Sequence, residues 1–176
     1  MPNPDSEWMV SNNYCGNFTS LPYNGLAPPG KWYSNMFIPE EQFENINVLG
    51  KGKFGEVMAA VLDGRLVAVK QLFPSITAEE DTVWEGEMLW RMTTIPHIPN
   101  LIGFCHSKAG PQLVMDFVGN QETGETHSML SSLQDDRPRL TKLEWVGILW
   151  DVVKGLVELH RLNLLHCDIK AANVLL

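Results

Sequence analysis

The sequence has few cysteines, few basic residues and no long apolar run, and each shortage excludes a class of protein. Its 3 cysteines, Cys15, Cys105 and Cys167, are too far apart to form the short paired spacings of a zinc site. The 13 Lys and Arg residues against 21 Asp and Glu give a net charge of −8, which argues against coating nucleic acid or an anionic membrane. No stretch approaches the length of a membrane span. We therefore expect reduced thiols in a cytoplasmic setting, no nucleic-acid partner and no membrane span.

The start of the chain is rich in turn-forming residues. Proline and glycine are concentrated in residues 1–37, without a sustained hydrophobic period, which predicts an irregular or disordered leader. Asp5 and Glu7 lie where a secretory signal would carry positive charge. We expect no such signal in this segment.

Apolar and β-branched residues then predict a sheet. Strands are expected at residues 43–48, 57–61 and 66–71, and the turn signal Asp63-Gly64 between the last two predicts an antiparallel meander. Two further β-like runs, at residues 101–105 and 112–118, predict a sheet of five strands.

Two helices are expected around these strands. Thr77 and Glu80 form a helix-start signature, and apolar residues continue at helical spacing to about Met92. A polar segment at residues 119–134 precedes the second helix, which begins with a capping box of Thr141 and Glu144. These elements predict an α+β protein.

A glycine-rich turn is the first motif that carries chemistry. It occupies nine consecutive positions: Leu49, Gly50, Lys51, Gly52, Lys53, Phe54, Gly55, Glu56 and Val57. Such a turn is most often just a hairpin, and a dinucleotide fingerprint would lie between a strand and a helix, whereas here strand residues follow directly. A strand-turn-strand glycine loop is able to lie over phosphates, because glycine lets the backbone approach them without side-chain obstruction.

Two further motifs make the pattern specific. On its own, the second motif, Val67-Ala68-Val69-Lys70, predicts an ordinary strand that ends in a lysine whose ammonium group lies in solvent. The segment from His166 to Leu176 holds Asp168 and Asn173 at a spacing of five. Together the three motifs match G-x-G-x-x-G-x-V, V-A-x-K and H-R-D-x-x-x-x-N, in that order. Residues 43–176 thus resemble a eukaryotic-type protein kinase domain, of Ser/Thr or tyrosine-kinase-like type.

The resemblance implies a fold and a division of the chain. Residues 38–118 would be the ATP-binding N-lobe, a five-stranded antiparallel sheet with one helix. Residues 119–176 would be the hinge and the first helices of a helical C-lobe, ending in the catalytic loop. ATP and Mg²⁺ are the implied cofactors, and a protein is the implied substrate.

The resemblance also implies that Lys70 holds the ATP phosphates and pairs with a glutamate of the next helix. Glu85 and Glu87 are the candidates, and either one is otherwise a surface acid. Apolar residues lie three, four and seven positions after Glu85, whereas the positions four and seven after Glu87 are Arg91 and Thr94. This pattern favours Glu85 as the residue that faces the sheet.

The remaining site residues follow from the same resemblance. Asp168 would accept or orient the proton of the substrate hydroxyl, Asn173 would help to hold magnesium, and Lys170 would lie near the transferred phosphoryl group, as in Ser/Thr-directed kinases. His166 is expected to be a structural core residue. The adenine pocket would be formed by hinge residues and apolar walls: Met115, Asp116, Val118, Leu49, Val57, Ala68 and Leu175.

The sequence also departs from the kinase pattern. Cys167 replaces the arginine that commonly pairs with a phosphorylated activation loop, so we do not expect that form of control. The sequence ends at Leu176, before a D-F-G motif, so we expect an incomplete, weakly active or inactive chain. The alternative is a pseudokinase-like module that binds nucleotide or a partner, with the apolar face of residues 143–162 left for that partner.

Overall fold

Strands dominate the first half of the fold and helices the second. The computed structural model of the protein describes residues 36–53, 55–73, 79–93, 95–134 and 140–176. Its strands are β1 (Phe43–Lys51), β2 (Gly55–Leu62), β3 (Arg65–Leu72), β4 (Leu101–Ser107) and β5 (Gly110–Asp116). Its α-helices are α1 (Glu79–Arg91), α2 (Met129–Gln134) and α3 (Lys142–Arg161). None of the helices in these ranges is long and apolar enough to cross a membrane.

The strands form one antiparallel sheet in the order β1-β2-β3-β5-β4, so the predicted five-stranded antiparallel sheet is confirmed. Asp63 and Gly64 join β2 to β3 with positive φ angles of 50° and 74°. Both angles are what a two-residue hairpin turn needs, and Asp-Gly is one of the pairs that adopt them readily. The predicted meander therefore follows from local turn chemistry.

Helix α1 packs on the sheet through an apolar cluster of Leu89, Leu101, Phe104 and Leu113. Gly86 lies against the Phe104 ring so closely that a Cβ at this position would be 2.3 Å from Phe104 Cζ. A larger residue would push the helix away from the sheet. The close approach fixes the rotation of α1 and hence the direction in which its side chains point.

Helix α3 begins at the predicted capping box. The Glu144 N–H donates to Thr141 Oγ1 (3.3 Å), and the Thr141 N–H donates to Glu144 Oε2 (2.7 Å). The other end of α3 is joined to the first half of the fold by a buried cluster of Met88, Ile95, Leu159 and Leu164. The remaining face of α3 leaves six large apolar side chains exposed: Leu143, Val146, Leu149, Trp150, Val153 and Val157.

The structure differs from the sequence expectation in the ends of all five strands and in the segment before α3. Strand β5 ends at Asp116 rather than at residue 118. The segment that the sequence analysis described only as polar contains the short helix α2. So short a helix is marginal alone, and tertiary hydrogen bonds stabilise it. These include the Met129 N–H to the Val174 carbonyl at 2.7 Å and the Leu176 N–H to the His127 carbonyl at 2.9 Å.

The structure describes only the last two residues of the predicted leader. Residues 36 and 37, which the sequence places in the leader, contact β4 through the Phe37–Phe104 bridge. Residues 1–35, including Cys15, lie outside the described residues, as do Phe54 and the helix start at Thr77.

Candidate active site

The glycine-rich turn is a strand-turn-strand hairpin between β1 and β2. Gly50 is opposite Val57 and Lys51 is opposite Glu56 in the antiparallel register, and the Gly52 N–H donates to the Gly55 carbonyl at 2.8 Å. A strand on both sides of the turn excludes the strand-to-helix setting of a dinucleotide fingerprint. The fold itself requires glycine at position 55, since a Cβ there would lie 2.3 Å from the backbone oxygen of Gln71.

Lys70 and Glu85 form a buried ion pair between β3 and α1. Lys70 Nζ lies 2.6 Å from Glu85 Oε1, and the two side chains are 4% and 10% exposed. Burial lowers the pKa of Lys70 and raises the pKa of Glu85, and the opposite charge of each partner acts against both shifts. The pair thus holds the Lys70 ammonium group in a buried position between β3 and α1, where each charge is stabilised by the other.

Glu87, the alternative partner, has a different role. Its Oε1 accepts from Arg91 Nη2 at 2.7 Å, one helical turn further on. This pair joins two residues of α1 at i and i+4 spacing. Of the two candidate glutamates, the structure therefore brings Glu85 to Lys70.

A cavity of about 740 Å³ opens beside this pair. Its lining includes all the residues expected around an adenine ring: Leu49, Val57, Ala68, Met115, Asp116, Val118 and Leu175. Lys70, Glu85 and Asn173 line it as well. Among the described residues of the glycine-rich turn, those between Leu49 and Val57 are absent from the lining, as are Asp168 and Lys170.

The backbone after β5 is anchored to the start of β4. The Asp116 N–H donates to the Asn100 carbonyl at 3.0 Å, and Asp116 Oδ2 accepts from Asn100 Nδ2 at 2.7 Å. The N–H of Asp116 is therefore already used. Any contribution of this residue to the edge of a planar base would come from its carbonyl, with Val118 supplying the N–H.

Asp168 is held in place by the loop that follows α3. Asn173 Nδ2 donates to both the backbone oxygen and Oδ2 of Asp168, each at 2.8 Å. Lys170 Nζ lies 3.3 Å from the same Oδ2. The carboxylate, the ammonium group and the amide thus form one cluster, as the spacing of these residues in the motif implies.

His166 and Cys167 shape this loop. His166 Nδ1 accepts the N–H of Asp168 at 3.3 Å, which requires an unprotonated Nδ1. Burial lowers the pKa of His166, although the charge of Asp168 opposes this, so the neutral ring is favoured. Cys167 adopts a left-handed backbone conformation with φ 60°, which is costly for a residue with a Cβ.

Buried polar atoms without partners indicate where a ligand fits. Glu85 Oε2, Thr126 Oγ1 and Asn173 Oδ1 are buried and have no hydrogen-bond partner among the described residues, and all three residues line the cavity. Because such atoms are costly to leave unpaired, they point to a polar ligand, an ion or water. Thr126 was not predicted as a site residue, because it lies in a polar segment without a motif.

The same atoms allow a test of the magnesium expectation. Asn173 Oδ1 is an unpaired oxygen next to the Asp168 carboxylate, to which the Asn173 amide nitrogen already donates. Carboxylate and amide oxygens are hard ligands of the kind that Mg²⁺ binds in phosphate-transfer sites. Asn173 Oδ1 is therefore one oxygen of the kind that a magnesium ion binds, with the Asp168 carboxylate nearby.

Comparisons with known proteins agree with this geometry. A family model described as "Protein kinase domain" matches residues 43–176. Proline-rich receptor-like protein kinase PERK15 of Arabidopsis thaliana is 34% identical over 153 residues, which cover 82% of this chain and 28% of the relative. Serine/threonine-protein kinase dst4 of Dictyostelium discoideum is 31% identical over 141 residues, covering 78% and 27%.

A further Dictyostelium discoideum relative, dual specificity protein kinase shkB, is 32% identical over 130 residues, covering 72% of this chain and 19% of the relative. The chain spans less than a third of the length of the curated relatives it matches.

Proposed function

Because this chain belongs to the protein kinase family, we propose that the protein that carries it transfers the γ-phosphoryl group of ATP to serine or threonine hydroxyls of proteins. The observation that carries the proposal is the buried Lys70–Glu85 pair at 2.6 Å, which opens onto a cavity of about 740 Å³ together with Asn173. Such a pair, a glycine-rich hairpin and an Asp–Asn loop are the parts that phosphoryl transfer needs.

The adenine ring would lie between apolar walls. Leu49 and Val57 come from the two sides of the glycine-rich hairpin, Ala68 from β3 and Leu175 from the end of the chain. Apolar walls with a few placed polar groups are typical of small-molecule pockets. The Asp116 carbonyl and the Val118 backbone would supply those polar groups.

Lys70 would neutralise and orient the α- and β-phosphates. Glu85 holds the ammonium group in position, and its own second oxygen is left unpaired in the cavity wall. The backbone of the glycine-rich hairpin would lie over the phosphates. Fixing the phosphates in this way contributes to catalysis by positioning.

Asn173 would hold a magnesium ion through its unpaired Oδ1, with the Asp168 carboxylate alongside. When bound, the ion neutralises negative charge on the phosphates. Asp168 would orient the substrate hydroxyl and accept its proton, while Lys170, 3.3 Å from Asp168 Oδ2, would stabilise charge on the transferred group.

Two observations support serine or threonine as the acceptor. Lys170 lies two positions after Asp168, as in Ser/Thr-directed kinases, and one relative is named a serine/threonine-protein kinase. Another is named a dual specificity kinase, so tyrosine is tested alongside.

The free thiols of Cys105 and Cys167 accord with a cytoplasmic reaction, since disulfides are rare there.

The test measures transfer of labelled phosphate from ATP to a basic protein substrate, followed by phosphoamino-acid analysis. In the full-length protein that carries this chain, the wild type should label serine and threonine, whereas Asp168→Asn should abolish transfer with little loss of ATP affinity. Arg65→Lys, which changes an exposed residue of β3 and keeps its charge, is the control. Transfer by Asp168→Asn at the wild-type rate would remove Asp168 from the mechanism.

One observation favours a second candidate, a module that binds nucleotide or a partner without catalysis. The exposed face of α3 carries large apolar side chains, with Leu143 81% exposed and Trp150 61% exposed. Contiguous apolar surface of this kind marks interaction sites. A protein that binds Mg-ATP and self-associates or binds a partner through α3, but transfers no phosphate, would favour this candidate over the first.

A further inference from the structure

Residues 36–38, which precede the family match at residues 43–176, form an additional edge to the sheet. The Ile38 N–H donates to the Phe104 carbonyl at 2.7 Å, and Phe37 pairs with Phe104 in a parallel bridge. We call residues 36–38 the edge segment. It lies beside β4, on the side of the sheet order opposite to β1.

The sheet is shaped to receive the edge segment. A Cβ on Gly103 of β4 would lie 2.4 Å from the Met36 backbone oxygen and 2.8 Å from Ile38 Cδ1. The first contact is with backbone and leaves no room for a side chain. Glycine at position 103 is therefore what allows the edge segment to lie on β4.

The edge segment contributes side chains to both apolar clusters of the sheet. Met36 packs against the cluster of Leu89, Leu101, Phe104 and Leu113, and Ile38 packs against the cluster centred on Val67 and Val114. Leu89 lies in α1, one turn beyond Glu85. Met36 is thus part of the cluster that holds α1 on the sheet.

Phe104 connects the edge segment to Glu85. Its carbonyl accepts from Ile38, and its ring lies where a Cβ on Gly86 would be 2.3 Å from Cζ. Gly86 is the neighbour of Glu85, whose carboxylate holds Lys70 at 2.6 Å. A shift of Phe104 would therefore move the segment of α1 that carries the ion pair.

We propose that the edge segment is a positioning element: by holding Phe104 against Gly86, it sets α1 so that Glu85 reaches Lys70. The proposal rests on the proposed function only where nucleotide binding is measured. Its structural part concerns α1 and stands apart from any ligand.

The test uses the full chain with Gly103→Ala, whose new Cβ displaces the edge segment. Gly147→Ala is the matched control, because a Cβ there meets nothing within 4 Å. A second pair of variants is Met36→Ala and Met36→Leu. Leucine should restore the apolar packing on the cluster of α1 and the sheet that alanine loses. Hydrogen exchange of the α1 amides is measured by mass spectrometry, with the β2 and β3 amides as an internal reference.

Gly103→Ala should speed exchange in α1 about five- to tenfold, the factor expected for loss of one backbone hydrogen bond, while β2 and β3 change little. Gly147→Ala should change neither. Unchanged α1 exchange in both Gly103→Ala and Met36→Ala would overturn the proposal, as would an equal rise throughout the sheet, which would indicate general destabilisation.

Binding of Mg-ATP supplies a readout that a merely structural role would not produce. Gly103→Ala should weaken affinity several-fold in the wild-type background but have no further effect in Glu85→Gln, because the residue it positions is already disabled. Equal losses in both backgrounds would overturn the proposal. If wild-type protein bound no Mg-ATP, the proposed function would fail, and α1 exchange would still decide the role of the edge segment.

Discussion

Replacing only one partner of the Lys70–Glu85 pair should lower the free energy of unfolding strongly, whereas replacing both partners should change it little. The charged atoms are 2.6 Å apart and the side chains are 4% and 10% exposed. At an effective dielectric constant of about 20, their attraction is about 6 kcal/mol. Desolvation of two ions, at several kcal/mol each, offsets most of this. The net contribution of the pair to stability is therefore small, although each charge needs the other.

We predict that Lys70→Met and Glu85→Leu each lower the free energy of unfolding by about 3 kcal/mol, because each leaves one buried charge without its partner. The double variant should lie within about 1 kcal/mol of wild type, since both charges are then gone. Urea unfolding followed by tryptophan fluorescence measures all four proteins. Losses that simply add in the double variant would refute the reasoning.

The pH dependence of Lys70→Met gives an independent check. Burial already raises the pKa of Glu85, and removing Lys70 removes the charge that opposes this shift. The folded state then keeps its proton while the unfolded state, with a pKa of about 4.3, releases it. Stability of Lys70→Met should therefore be closest to wild type below that pH and fall relative to wild type as pH rises towards neutrality. A constant difference across this range would contradict the buried position of Glu85.

Three further predictions concern residues around the site. Gly55→Ala should cost about 2 kcal/mol or more in urea unfolding, because its Cβ would lie 2.3 Å from the Gln71 oxygen. The comparison variant Gly147→Ala should not lower stability, because its Cβ meets nothing within 4 Å and alanine favours the α3 helix. Thr141→Ala should cost about 1 kcal/mol in thermal unfolding by loss of the α3 cap, and Thr141→Ser should restore it. Cys167→Val should cost about 1 kcal/mol more than Cys167→Asn, since a β-branched residue tolerates φ 60° poorly; equal stability of the two variants would argue against that backbone conformation.

Local signals were sufficient for most of the fold. The Asp63-Gly64 turn and the Thr141–Glu144 capping box each act over a few residues. Such features depend on residues that are close together in the sequence, so sequence patterns predict them well. Helix phase likewise pointed to Glu85 rather than Glu87, and the structure pairs Glu85 with Lys70 and Glu87 with Arg91.

Features that depend on contacts between distant residues were missed. Helix α2 is short, and its Met129 N–H donates to the Val174 carbonyl, a contact that no local pattern reveals. The buried hydroxyl of Thr126 lies in the cavity wall only because the chain returns there. Residues 36 and 37 of the edge segment belong to the predicted leader. Their contact partners, Gly103 and Phe104, are more than sixty positions away, so no local pattern indicates the contact.

Binding of Mg-ATP is the measurement that tests the account most directly. Thermal unfolding of the wild type, Lys70→Met and the control Arg65→Met is followed with and without Mg-ATP. Ligand at about 100 times its dissociation constant stabilises the folded state by about 2.7 kcal/mol, so the wild-type and Arg65→Met midpoints should rise. Lys70→Met should show little rise at the same concentration. No rise in the wild type, or an equal rise in Lys70→Met, would contradict the assignment of the cavity as an ATP site centred on Lys70.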